Sequence, residues 1–183
     1  MPTYELIAMF GRVLLAVTLA VAGLGKLRSR AAFAAFAETL GDLGWRSQPV
    51  RRAAAVALPG AELGSAALLA VPLTVTWGYA AALMLLAAMT ATAAAAVKRG
   101  RRLRCRCFGL AEEPIGASTL IRNAVLVVAG LAGLAASLSS AGQTGSPAAE
   151  VLGAAVGLLG APVIVYWADL GYLLSGRPAQ DHR

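Results

Sequence analysis

The chain has 183 residues, 58% of them hydrophobic and 14% charged, with a formal net charge of +7. Soluble domains carry about 25% charged and about 45–50% apolar residues. An ordinary water-soluble globule, a disordered tail and a disulfide-dense secreted scaffold are therefore excluded, and a bilayer protein remains.

Predominantly apolar stretches of about 20 residues are long enough to cross a bilayer as helices. In chain order the sequence predicts them over residues 6–27, 53–71, 77–97, 120–138 and 151–174. The expected fold is all-α: a polytopic transmembrane helical bundle of 4–5 spans, forming one integral membrane domain over residues 1–183. The fourth run is Gly- and Ala-rich, which leaves a four-span count open. Pro59 and Pro162 fall inside spans, where neighbouring groups can satisfy the freed carbonyls. The first run follows Glu5 instead of a basic cluster and is interrupted by Arg12, so it reads as a retained helix and not as a cleaved signal peptide.

Between the first two spans, Phe33, Phe36, Ala37 and Leu40 recur at i, i+3, i+4 and i+7, and Gly41 follows as a stop signal. A short amphipathic helix is expected within 29–44. It either lies on the inner leaflet or packs as a cap beneath the bundle.

Twelve of the sixteen basic residues fall in two segments. Lys26, Arg28, Arg30, Arg46, Arg51 and Arg52 surround the loop 28–52; Lys98, Arg99, Arg101, Arg102, Arg104 and Arg106 belong to the loop 98–119. Lys and Arg near span ends favour the cytoplasmic side. Both loops should face inward in a cell (inner or plasma) membrane, with the N-terminus out and the C-terminus in. Tyr4, Trp77 and Tyr79 would mark the outer interface; Tyr166, Trp167 and Tyr172 the inner one. This placement accounts for the basic charge, and no basic patch interleaved with aromatics points to nucleic acid.

Charged groups within spans are costly and normally pair or line a polar cavity. Arg12 and Glu62 stand inside spans one and two, and Arg122 opens span four beside Asn123. At a rise of about 1.5 Å per residue, Arg12 lies about 10 Å and Glu62 about 15 Å below the outer boundary. An Arg12–Glu62 pair is therefore expected, either as a clamp or as part of a redox or substrate site. Arg122 is close enough to the edge to snorkel. Gly60 and Gly64 frame Glu62 in a Gly-x-x-x-Gly spacing that lets another helix approach closely.

The only two cysteines are Cys105 and Cys107, within Arg104-Cys105-Arg106-Cys107-Phe108-Gly109. A closed zinc site needs four ligands, and the chain adds only His182, so metal binding would require a dimer or partner. The plain alternative is a pair that never reacts. The surrounding arginines favour a third reading, reversible thiol–disulfide chemistry, because adjacent cations stabilise thiolate over thiol. A disulfide across one intervening residue closes a short, strained loop, and strained disulfides are the labile or catalytic kind.

Together these pieces resemble the MauE/DoxX group of redox-associated membrane proteins, MauE more closely. They are Arg12, Gly23-Leu24-Gly25-Lys26-Leu27, Phe33 and Phe36, Leu58-Pro59-Gly60-Ala61-Glu62-Leu63, Cys105-Arg106-Cys107-Phe108-Gly109 and Arg122-Asn123. The resemblance implies a DoxX-like helical bundle associated with methylamine utilisation. It also implies a role in maturing a disulfide-rich exported client, such as a methylamine dehydrogenase subunit, with a thioredoxin-like partner. The candidate catalytic residues are Cys105 and Cys107; Arg12, Lys26, Glu62, Arg122 and Asn123 are intramembrane polar or structural candidates. With a single cysteine pair, an electron relay across the bilayer would need a quinone, another cofactor or a partner. Two other function classes stay open: a non-catalytic assembly factor and a small-solute carrier using Glu62.

Overall fold

A backbone inside a bilayer has no water to bond and must satisfy its polar groups within the segment. Each apolar run accordingly becomes a helix. The computed structural model describes residues 2–42, 47–99, 104–105, 113–114, 116–139 and 146–167. The helices are α1 (Pro2–Leu27), α2 (Arg30–Asp42), α3 (Gln48–Ala70), α4 (Val75–Lys98), α5 (Ala117–Ser139) and α6 (Pro147–Val165). All but α2 are long and apolar enough to cross a membrane. The Gly- and Ala-rich fourth run forms the full helix α5, so five spans are present among the described residues.

Both α3 and α6 begin with a proline in the first turn, where the missing N–H costs nothing. This start places α6 earlier in the chain than hydropathy alone suggests. Its N-terminus is capped from another helix: the Glu5 carboxylate on α1 accepts a 2.7 Å hydrogen bond from the Ser146 amide. A carboxylate there also complements the positive end of the α6 dipole.

α1 is the centre of the bundle, packed most extensively against α6 and then against α3 and α5; α3 meets α4, and α4 meets α5. Leu14, Leu15 and Leu19 of α1 form the main core with Leu69, Tyr79, Leu86, Leu126 and Ile164. The seam with α6 is made by Gly153 and Gly157. A Cβ on Gly153 would lie 2.5 Å from the Leu6 carbonyl oxygen, and one on Gly157 would lie 2.8 Å from that of Phe10. Helices in lipid associate through such small residues, which let backbones approach. Gly60 and Gly64, by contrast, lie on an open face of α3, where an added Cβ would meet no atom within 4 Å. The spacing expected to receive a neighbour is thus at 153 and 157, not at 60 and 64.

Two aromatic expectations divide. Trp77 is 72% exposed and Tyr4 is also exposed, as interface anchors should be. Tyr79 is instead fully buried, and its hydroxyl donates 2.7 Å to the Ala8 carbonyl. A buried phenol needs such a partner. Gly133 leaves the room for it, since a Cβ there would collide with the Tyr79 ring. Tyr166 is exposed and Trp167 packs partly against the core, while Tyr172 lies outside the described residues.

The amphipathic segment folds as α2 and acts as a packed cap. Its Ser29 hydroxyl accepts 3.0 Å from the Ala32 amide, an N-terminal cap. Phe36 and Leu40 bury against Ala54 and Ala55 of α3, with Leu58 packed alongside. The apolar stripe is therefore spent on α3 and not on lipid.

Candidate functional site

The deepest charges form an ion pair between α1 and α3, and its partners differ from the expected ones. Glu62 is engaged by Lys26, whose Nζ lies 2.6 Å from Oε1 and 2.8 Å from Oε2. The two side chains are 0% and 1% exposed. Arg12 does not reach Glu62. On a helix every Cα–Cβ bond tilts toward the N-terminus. The Arg12 side chain therefore leans away from the deeper Glu62, whereas that of Lys26, near the end of α1, leans back toward it. The same tilt brings the Lys26 ammonium to 3.3 Å from the Ala22 carbonyl. Its remaining side faces α2, with the ring centroid of Phe36 at 5.4 Å.

Arg12 has a different task. The last carbonyls of a helix have no partner within it, and at the end of α3 each is met from outside. Leu69 accepts 2.5 Å from Arg12 Nε, and Ala70 accepts 2.8 Å from Nη2. Leu68 accepts 2.8 Å from the Thr74 hydroxyl, and Val71 accepts 3.2 Å from the Thr74 amide. The guanidinium also sits at the negative end of the α3 dipole. Arg12 is thus a capping group and belongs to no clamp with Glu62.

Arg122 and Asn123 are buried on α5. Arg122 is only 3% exposed, so it does not snorkel to the membrane edge; its charge lies close enough to act on Lys26. Asn123 donates 3.2 Å to the Thr90 hydroxyl of α4, which in turn donates 2.6 Å to the Leu86 carbonyl. Lys26, Glu62 and Arg122 together place two positive charges and one negative in the interior, with Ser65 and Thr119 also buried. Thr90, Ser65 and Thr119 were not singled out in the sequence, and Phe36 was singled out for the apolar stripe and the family resemblance but not as a partner of Lys26. A hydroxyl one turn above a carbonyl is ordinary in apolar helices.

Cys105 lies on a short antiparallel ladder between β1 (Arg104–Cys105) and β2 (Glu113–Pro114), with Cys105 opposite Glu113 and Arg104 opposite Pro114. β1 rests against α2. Cys107 lies outside the described residues. Among the described residues no group of three His, Cys, Asp or Glu side chains is placed to hold a metal ion.

Five spanning helices, a capping helix beneath them and a sealed ion pair inside define a multi-pass membrane protein of the helical-bundle class. The family model for methylamine utilisation protein MauE matches residues 4–136, and the chain belongs to that family. No curated protein and no solved structure matches it. The matched region contains Arg12, Lys26, Glu62, Arg122, Asn123 and both cysteines, whereas α6 falls beyond it.

Proposed function

We propose that the chain supports thiol–disulfide maturation of an exported client through Cys105 and Cys107, with a methylamine dehydrogenase subunit as the client class. The observation that carries the reading is Cys105 itself. It sits in an arginine-rich stretch of sequence, on the two-residue strand β1 that rests against α2, and its only fellow cysteine follows two residues later. Cations beside a cysteine favour the thiolate, the form that attacks disulfides.

The exchange balances without a metal. A thiolate of a partner dithiol on the same side of the membrane attacks one sulfur of the oxidised pair, forming a mixed disulfide and releasing the other sulfur as thiolate. The partner's second thiolate then displaces the bound cysteine. The partner leaves with a new disulfide, and the pair carries its two electrons. A thioredoxin-like disulfide restores the pair by the same two steps in reverse roles. The charge rule puts the two basic loops, and hence the pair, on the cytoplasmic side of the inner or plasma membrane. Electrons from an exported client then need a carrier through the bilayer, of the quinone class or in a partner protein. A non-catalytic assembly factor is the second reading, favoured by the structural work that Arg12 does at the end of α3. Glu62, engaged by Lys26, lends a solute carrier no support.

A redox titration of the purified protein, read by mass-tagging free thiols, tests the exchange. A two-thiol transition is expected, and Arg104→Gln with Arg106→Gln should slow exchange without unfolding the bundle. Absence of any Cys105–Cys107 disulfide at every potential would leave the assembly-factor reading. Orientation is tested separately with single cysteines introduced into loops 28–52 and 98–119 of intact cells. Impermeant thiol reagents should label neither; strong labelling from outside would reverse the topology.

A further inference from the structure

The exchange chemistry makes no use of Lys26 and Glu62, and α1 does not need them to hold α3. Gly23 already seats α1 on that helix, since a Cβ there would stand 2.8 Å from Leu63 Cγ and 3.2 Å from the Pro59 carbonyl. A buried ion pair is also a poor fastener, because well-packed apolar residues of similar volume often hold as well or better. What a cation can do, and an apolar side chain cannot, is attract the face of an aromatic ring. Phe36 is that ring, at 5.4 Å from the ammonium.

Phe36 is buried on α2, where with Leu40 it fastens the helix to Ala54 and Ala55. α2 in turn is the helix against which β1 rests, and β1 contains Cys105. Three contacts therefore connect a carboxylate in the body of α3 to the backbone of the cysteine: Glu62 to Lys26, Lys26 to Phe36, and α2 to β1. Glu62 holds the ammonium from one side, so the cation is fixed over the ring. The packing of Phe36 and Leu40 on alanines is non-directional, and the ammonium over the ring adds a directional contact between α1 and α2.

We propose that Lys26, held by Glu62, is a positioning residue for Cys105: its ammonium anchors the Phe36 ring and so sets how α2 presents the backbone of β1. The purpose of this device rests on the thiol-exchange reading, but its measurement does not.

The test uses the full chain in native membranes with Cys107→Ser, which leaves Cys105 as the sole cysteine, and follows its rate of alkylation by N-ethylmaleimide. Phe36→Leu keeps the apolar contacts and removes the ring face; it should raise the rate about thirtyfold, the factor that corresponds to a desolvated cation–π contact. Lys26→Met should do the same. Lys26→Arg, which keeps a cation over the ring, should stay within about twofold of the parent. Gly153→Val, which disturbs the remote α6 seam, should lower thermal stability and leave the rate unchanged. Should Lys26→Met fail to accumulate, Phe36→Leu decides alone. An unchanged rate in Phe36→Leu, or an equal rise in Gly153→Val, overturns the proposal. Because a lone cysteine forms no intramolecular disulfide, this outcome is independent of the redox titration. A reactive pair with unmoved alkylation rates would refute only the positioning role, and an inert pair with altered rates only the exchange.

Discussion

Lys26→Met and Glu62→Met should each destabilise the bundle by about 3–5 kcal/mol, and the double variant should recover much of that loss. Each single change leaves one fully buried charge facing a methionine; the double change leaves none of the pair. Unfolding of the purified protein in detergent, by heat or denaturant, gives all three values. A second cycle serves as the control. Arg12→Met exposes the Leu69 and Ala70 carbonyls but leaves the Glu62 carboxylate with its own partner, so Arg12→Met and Glu62→Met should simply add. If coupling appeared in the Arg12 cycle and not in the Lys26 cycle, the pairing described above would be wrong.

The second large effect is expected at the α1–α6 seam. Gly153→Val or Gly157→Val drives a branched side chain into the backbone of α1, where even a Cβ on Gly153 stands 3.1 Å from that of Met9. Overpacking costs about 1–3 kcal/mol when neighbours can yield, and a backbone carbonyl yields less than a side chain. Gly60→Ala and Gly64→Ala should be neutral or slightly stabilising, because they add helix propensity on an open face. The same unfolding assay separates the two pairs. Equal sensitivity at all four glycines would mean that the exposed face of α3 also carries a neighbour.

The fold was legible because its signals are long and local. A run of apolar residues has no other way to satisfy its backbone in lipid, and the spacing of Phe33, Phe36, Ala37 and Leu40 has one natural reading as a helix. That Phe36 and Leu40 would meet α3 instead of lipid was one of two open alternatives. Pairings were harder. Depth counted along the axis placed Arg12 within reach of Glu62, but it ignored the tilt of side chains toward the N-terminus, which favours Lys26. Lys26 was read as part of the topology signal and, through the family resemblance, as an intramembrane polar candidate, but not as the partner of Glu62. Two Gly-x-x-x-Gly spacings stood in the chain, and spacing alone does not say which faces the interior. Tyr79 looked like an interface anchor because a tyrosine near a span end usually is one; only the space left by Gly133 and the Ala8 carbonyl within reach of its hydroxyl distinguish it. The cysteines rest on sequence logic more than any other feature does, and the ladder at Cys105 adds to it only the course of the backbone.

The seam between α1 and α6 also bears on how the chain is made. α1 leaves the ribosome well before α6, yet α6 is the neighbour it packs against most extensively. During synthesis the flank of α1 that carries Leu6, Met9, Phe10 and Val13 meets lipid or a chaperone, and the Glu5 carboxylate awaits the Ser146 amide 141 positions later. Contacts between such distant segments form late, since loop closure must precede their reward. The order of assembly that follows is α1 with α3, α4 and α5 first, with α6 arriving as the element that closes a bundle already standing.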